Sequence, residues 1–142
     1  MYDNVYYEVT PVTLYTSNAE KNKQKSSIQY ISILFSDLFN QTLPGSDLNN
    51  LGEVILSNGD KGLVNQMILE RFLTLPGIQI PTQAQMNADI DSFIISAYQR
   101  FYLRNPTDYE KYYLKNLIQN DASVTPEIVY AAFSLSNEYM FY

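Results

Sequence analysis

The side chains available for general acid–base chemistry in this sequence are those of Asp, Glu, Tyr and Lys, because its 142 residues include no histidine and no cysteine. This absence excludes His-based triads, thiol nucleophiles and zinc sites of the Cys/His type. Asp89 and Asp91 are two residues apart in a predicted helix, so they point to different faces and we interpret them as surface charges. Glu110 fits a helix capping box. No glycine-rich phosphate loop or calcium loop is present, and we expect no cofactor and no bound metal.

Two arginines have a predicted structural role in the second half of the chain. Arg104 falls in the last turn of a predicted helix, where a cation is favoured by the negative helix end. We expect Arg100 or Arg104 to pair with Glu138 or Asp108, which would tie the last helix to the fourth. An anion-binding site at these arginines is the alternative.

Tyrosine is the most distinctive residue of the sequence, with thirteen copies beside no tryptophan. Tyrosine is common at interfaces, since one end of its ring system is apolar and the other is polar. The tyrosines of the second half could complete the core of a small domain or form a contact surface for a partner protein. The candidate interaction surface consists of Tyr98, Tyr102, Tyr109, Tyr112 and Tyr113.

The elements that must position these side chains are predicted to be helices. Apolar residues recur at three- and four-residue steps after residue 26, and proline or glycine marks the breaks between segments. The pattern predicts an all-α fold, a bundle of six helices preceded by an extended N-terminal arm. N-caps are predicted at Ser26 or Ser27, at Asp60 and at three threonines, Thr82, Thr107 and Thr125.

The predicted domain organisation is an arm over residues 1–25 and one helical domain over residues 26–142. The two halves of that domain resemble each other in the order of helix, proline-marked turn and capped helix. Residues 27–77 and 83–140 are therefore candidate tandem repeats of three helices each, and coincidental likeness of short helices is the alternative.

Residues 90–142 also resemble a known kind of module. They contain Ala97-Tyr98-Gln99-Arg100 and end in Ser136-Asn137-Glu138-Tyr139. This is similar to the short helical module of uncharacterised bacterial secreted and surface proteins, and more distantly to the helical domain of phycobilisome linker proteins. The resemblance implies a structural or interaction module, without a pigment-protein partner. Leu103 stands where that pattern has glycine, and Asn120-Asp121 stands where a second glycine is expected.

The charge and hydropathy of the sequence argue against a nucleic-acid partner and against a membrane span. Nine Lys plus Arg against fifteen Asp plus Glu give a net charge of −6, so nucleic acid is an unfavourable partner. No apolar stretch approaches the roughly 20 residues that a membrane-spanning helix needs. Residues 1–8 do not resemble a secretory signal. The lysines at 21, 23 and 25 are interpreted as a solvated loop, with a patch for anions as the alternative.

The sequence therefore predicts a non-catalytic protein–protein interaction or structural module of a larger cell-envelope or surface-associated bacterial protein. An unidentified protein is the expected partner, and a cytoplasmic location stays open. Two alternatives are kept. One is a carboxylate- or tyrosine-dependent enzyme with a groove between the helical halves, and the other is a helical bundle that binds a small ligand.

Overall fold

A computed structural model describes residues 21–56 and 60–142 of the chain. The described residues are mostly helical and contain no strand longer than an isolated bridge. The predicted all-α class is confirmed, but these described ranges contain seven α-helices instead of the predicted six. They are α1 (Ser27–Phe39), α2 (Gly45–Leu56), α3 (Lys61–Leu73), α4 (Gln83–Ala88), α5 (Ile90–Ala97), α6 (Asp108–Asn120) and α7 (Pro126–Ser134). A π-helical turn, Tyr98–Tyr102, continues α5, and a 3₁₀ turn, Glu138–Met140, follows α7.

Polar caps fix where the helices begin. Ser26 and Thr82 accept hydrogen bonds from the backbone N–H three residues on, and Gln29 and Gln85 return the bond to the cap N–H. Thr107 forms the same reciprocal arrangement in α6. These capping boxes satisfy backbone donors that a helix start leaves free. The predicted starts of α1, α4 and α6 are confirmed.

The predicted long fourth helix is broken at Asp89, which corrects the six-helix count. The backbone of Asp89 leaves the helical region at φ −152° and ψ 84°. Its carboxylate accepts a hydrogen bond from the N–H of Ser92, so Asp89 is the N-cap of α5. Aspartate is a poor interior helix residue and a good N-cap, which explains why the chain restarts here.

Replacing Asp89 by alanine is expected to lower the free energy of unfolding by about 1 kcal/mol, because the cap of α5 is lost. Urea denaturation monitored by circular dichroism measures the change. Asp89→Asn is the matched control, since an asparagine oxygen still accepts the bond from Ser92. Equal destabilisation by both substitutions would contradict the capping role.

The core lies along α1, α3 and the second half of the chain. Ile31, Leu34 and Leu38 of α1 have no exposed surface. α1 packs against α2 and α3, while α5 packs against α6 and the π-helical turn, and α7 contacts α3 and that turn. In α3, Val64, Ile68, Leu69 and Phe72 are buried, while Leu63 and Met67 are half exposed.

The segment before α1 pairs with the end of the chain. Lys23 and Tyr142 exchange two backbone hydrogen bonds, of 3.0 and 2.7 Å, and the N–H of Lys25 donates to the carbonyl of Met140 at 2.7 Å. This pairing carries Lys21 and Lys25 into contact with the body of the protein, so the predicted solvated loop is wrong for these two lysines.

Two expectations lie outside the described residues. They are the first 20 residues of the arm predicted over residues 1–25, and one of the predicted glycine-marked breaks between helices, at Asn58-Gly59. In the part of the chain that the structure describes, no helix has the length and apolar character needed to cross a bilayer.

Candidate functional site

Arg104 is the centre of a cluster of charges, which we name the ion cluster: Arg104, Glu110, Glu138 and Lys21. Arg104 is 4 % exposed. Its Nε and Nη2 donate to the two carboxylate oxygens of Glu138 at 2.8 and 2.9 Å, and Nη1 and Nη2 donate to those of Glu110, both at 2.8 Å. The ammonium of Lys21 also contacts Glu138. Bidentate pairs of this kind combine charge with fixed geometry.

The backbone around Arg104 explains how the cluster forms. The π-helical turn ends at Leu103, which has φ 55° and ψ 38° and reverses the chain direction. Glu110 is held in place as the capping-box residue of α6, since its Oε1 also accepts the N–H of Thr107 at 2.8 Å. Glu138 belongs to the 3₁₀ turn after α7. The cluster therefore joins three segments of the second half.

The structure contains one of the predicted pairings of the two arginines and not the others. Arg104 contacts Glu138, one of the predicted combinations. Arg100 and Asp108 do not take part: within the described residues neither forms an ion pair, and Arg100 donates from Nη1 to the carbonyl of Gln79 at 2.7 Å. Glu110, which the sequence identified only as a cap, takes the place expected of Asp108.

Electrostatics keep both carboxylates of the ion cluster ionised. The hydrogen bonds from Arg104 lower the pKa of Glu110 to about 2. Burial by itself would raise the pKa of Glu138, but hydrogen bonds from Arg104 and Lys21 lower it overall. Both carboxylates are thus held in the charged form that pairs with Arg104.

A second polar group lies between α1 and the end of the chain. Asp37 of α1 accepts a hydrogen bond from the hydroxyl of Tyr139 at 2.6 Å. Burial raises the pKa of Asp37 to about 7, although Tyr139, Lys25 and Arg100 act in the opposite direction. The Nζ of Lys25 lies 3.4 Å from the centre of the Tyr139 ring, and burial lowers the pKa of Lys25 to about 8.

Sequence reasoning missed Asp37, although a signal was present. Asp37 is three residues after Leu34 and one before Leu38, so it falls beside the apolar stripe that α1 buries. An acid at the edge of a buried stripe requires a polar partner nearby. That partner, Tyr139, is 102 residues away in sequence.

Asp37 and Arg100 line two adjoining clefts between the helical halves. The larger, of about 610 Å³, is open and is lined by polar residues of α1, α5 and the π-helical turn. The smaller, of about 200 Å³, is more apolar, and we name it the inner cleft. Residues lining the inner cleft include Lys21, Lys25, Ile33, Asp37, Arg100, Phe101, Leu103 and Phe141.

The five predicted surface tyrosines divide into two groups. Tyr98 and Tyr102 are buried, at 8 and 9 % exposure, which corrects their assignment to an interaction surface. Both rings pack against Phe133 of α7, each at a centroid distance of 4.8 Å. The hydroxyl of Tyr102 donates to Ser136 Oγ at 2.6 Å. These two residues complete an aromatic core in a domain without tryptophan.

Tyr109, Tyr112 and Tyr113 lie on the outer side of α6, where they are 73, 65 and 60 % exposed. The rings of Tyr109 and Tyr113 stack at a centroid distance of 6.3 Å. Helical spacing places one leucine and two asparagines on the same side, all exposed. None of the six residues is charged. We name this surface the tyrosine face: Tyr109, Tyr112, Tyr113, Asn116, Leu117 and Asn120.

No protein-family model matches the chain, and no curated protein or solved structure is similar to it. The resemblance of residues 90–142 to a secreted helical module stays a prediction. Within the described residues, no group of three acidic side chains is placed to hold a metal ion. The tyrosine face and the clefts are the features from which a function can be inferred.

Proposed function

We propose that this chain is a non-catalytic interaction module of a larger envelope-associated bacterial protein, and that the tyrosine face contacts its protein partner. One observation carries the proposal. Three tyrosines and Leu117, between 43 and 73 % exposed, occupy an uncharged stripe of α6 on a protein of net charge −6.

The composition of the tyrosine face is typical of the centre of a protein interface. Interface centres are depleted in charged residues and enriched in tyrosine. A tyrosine buries a large area while losing the freedom of only two side-chain torsions, so its entropic cost on binding is low. The amides of Asn116 and Asn120 add hydrogen-bonding groups between the rings.

The fold of the domain does not use these rings. α6 contributes Leu114 and Ile118 to the core, on the side opposite the tyrosine face. Glu110 and Thr107, which form the capping box of α6, do not belong to the tyrosine face. Glu110 binds Arg104, and the hydroxyl of Thr107 accepts a backbone N–H of the helix. Exposed apolar surface that folding does not require favours a binding role.

The enzyme alternative has less support. General acid–base catalysis in the groove between the halves requires two groups with pKa values near the working pH, one protonated as the acid and one deprotonated as the base. Burial raises the pKa of Asp37, whereas the carboxylates of the ion cluster have lowered pKa values. Asp37 already accepts the hydroxyl of the buried Tyr139, which favours a structural or ligand-binding role for this carboxyl.

The tandem repeat belongs to the same proposal. Packing of α1 on α2 and α3, and of α5 on α6 and the π-helical turn, supports two units that correspond to residues 27–77 and 83–140. In a duplicated module, each unit could present its own outer helix to a partner. α2 would be the counterpart of α6.

Replacing Tyr109, Tyr112 and Tyr113 together by serine is expected to weaken partner binding by at least about tenfold, because buried tyrosines dominate interface energies. The partner is captured from native membranes and culture supernatant, identified by mass spectrometry, purified and titrated against both proteins by calorimetry. Serine and tyrosine have similar helix propensities, so α6 should keep its structure.

The matched control replaces Leu63 and Met67 on α3 by serine. These residues are 50 and 53 % exposed but lie outside the tyrosine face. The control variant should bind the partner as the natural chain does. Undiminished binding by the tyrosine variant, or equal loss in the control, would refute the proposed surface.

A further inference from the structure

The inner cleft has an imbalance of charge at its walls. Arg100 and Lys25 line it, and within the described residues neither forms an ion pair within 4 Å. Lys21 also lines it, but its ammonium contacts Glu138 of the ion cluster. The one carboxyl of the lining is Asp37, which already accepts the hydroxyl of Tyr139.

We propose that the inner cleft binds a small organic acid with an apolar body. Arg100 and Lys25 receive the carboxylate, and the body lies against Ile33, Phe101 and Leu103. This goes beyond the proposed interaction function, since the cleft and the tyrosine face share no residue.

The guanidinium of Arg100 has the capacity for this contact. An arginine side chain has five N–H donors, and Arg100 uses Nη1 for the carbonyl of Gln79. Its remaining donors suit a planar carboxylate, which arginine binds through two parallel hydrogen bonds. The position of Arg100 is fixed from both sides, since its guanidinium also lies over the Tyr130 ring at 5.7 Å.

Lys25 provides a second positive charge in a partly dry environment. Its Nζ contacts the face of the Tyr139 ring, and burial lowers its pKa to about 8. A charge that loses hydration on burial gains from an opposite charge placed beside it. A bound carboxylate supplies that charge. The pKa of Asp37 near 7 leaves that carboxyl mostly protonated at pH 6, where it does not repel an anion.

The size and polarity of the inner cleft define the rest of the ligand. A volume of about 200 Å³ is smaller than the roughly 300–1,000 Å³ of pockets for drug-sized molecules, so the body is the size of one ring or a short branched chain. Ile33, Phe101 and Leu103 form an apolar part of the wall beside the cations, which favours a carboxylate with an apolar body over a phosphate or a sugar, because those ligands carry polar groups on every side.

Titration of the full chain with benzoate at pH 6, followed by NMR of the backbone amides, tests the proposal. Benzoate is expected to bind saturably, with the largest shifts at residues lining the inner cleft. Benzamide, which has the same shape without charge, should bind at least about tenfold more weakly, and benzylamine should not bind. Equal binding of benzoate and benzamide, or no saturable binding at millimolar benzoate, would overturn it.

Two variants assign the contact to the named cations. Arg100→Gln and Lys25→Gln should each weaken benzoate binding by about tenfold. Lys23→Gln is the matched control, because Lys23 belongs to the same segment and is exposed. If Arg100→Gln does not fold, Lys25→Gln still decides, since benzoate binding that survives Lys25→Gln unchanged contradicts the proposal. Partner binding by the tyrosine face is measured separately and does not affect this result.

Discussion

Substitution of Arg104 by alanine is expected to destabilise the protein by about 3–5 kcal/mol, the cost of removing one member of a buried ion pair. The substitution leaves Glu138 and Glu110 facing each other without their shared cation. It also removes the guanidinium from the faces of Tyr98 and Tyr102, whose ring centres lie 5.2 and 5.6 Å from it. Three segments of the second half lose their common contact.

Urea unfolding at pH 7 measures this loss, with Arg104→Lys and Arg71→Ala as controls. Lysine keeps the charge but not the bidentate geometry. The free energy of unfolding of Arg104→Lys should therefore lie between those of the natural chain and Arg104→Ala. Arg71 lies exposed in the last turn of α3, and its removal should change stability by less than about 0.5 kcal/mol. An Arg104→Ala variant as stable as Arg71→Ala would show that the ion cluster contributes nothing.

The loss of stability caused by Arg104→Ala is expected to become smaller at low pH. The pKa of Glu110 is lower in the folded protein than in the unfolded chain, so its pairing with Arg104 stabilises the fold above its ordinary pKa. That contribution disappears as the pH falls from the ordinary range of a glutamate towards about 2. The difference in stability between the natural chain and Arg104→Ala should therefore shrink in that window.

Local signals predicted the helix starts and one contact of Arg104 because both depend on residues near in sequence or on helix ends. The cap at Thr107 needs only the residue three positions later. The break at Asp89 was missed because its neighbours Ile90 and Phe93 continue the apolar period of a single helix. A good N-cap inside a periodic pattern is a signal for such a break.

The tyrosines show that residue spacing alone does not determine which helix face is buried. Tyr98 and Tyr102 are four residues apart on one helix face, and so are Tyr109 and Tyr113. The first pair is covered by Phe133 of α7, while the second is left exposed. Spacing determines which residues share a face, but the tertiary partner of that face is set by packing of distant segments.

Leu103 adopts a left-handed backbone conformation with φ 55°. Glycine reaches that region without strain, whereas a leucine pays a steric cost there. The turn that presents Arg104 to its carboxylates is therefore made with a residue that does not favour it, and the side chain of Leu103 lines both clefts.

Substitution of Asp37 by asparagine is expected to stabilise the protein at pH 8, by about 2–4 kcal/mol. Burial raises the pKa of Asp37 to about 7, so the folded protein binds this proton more tightly than the unfolded chain does. For such a carboxyl, stability is greatest when it is protonated and falls as the pH rises from its ordinary value to about 7. Asparagine stays neutral and still offers an oxygen to the hydroxyl of Tyr139.

Urea unfolding of the natural chain and of Asp37→Asn between pH 4.5 and 8 tests this dependence of stability on pH. The two proteins should be similar at pH 4.5 and diverge as the pH rises. Most of the divergence is expected below pH 7, before Lys25, whose pKa is about 8, loses its charge, and the pKa of Tyr139 is raised above this window. Asp91→Asn, at a half-exposed carboxylate bound to Lys115, is the matched control for the loss of one carboxylate. Lower stability of Asp37→Asn at pH 8 would mean that the charged carboxylate is stabilised by Lys25 and Arg100 more than burial disfavours it. A charged Asp37 would then offset one of the two positive charges of Arg100 and Lys25, so this measurement also bears on the affinity of the inner cleft for an organic acid.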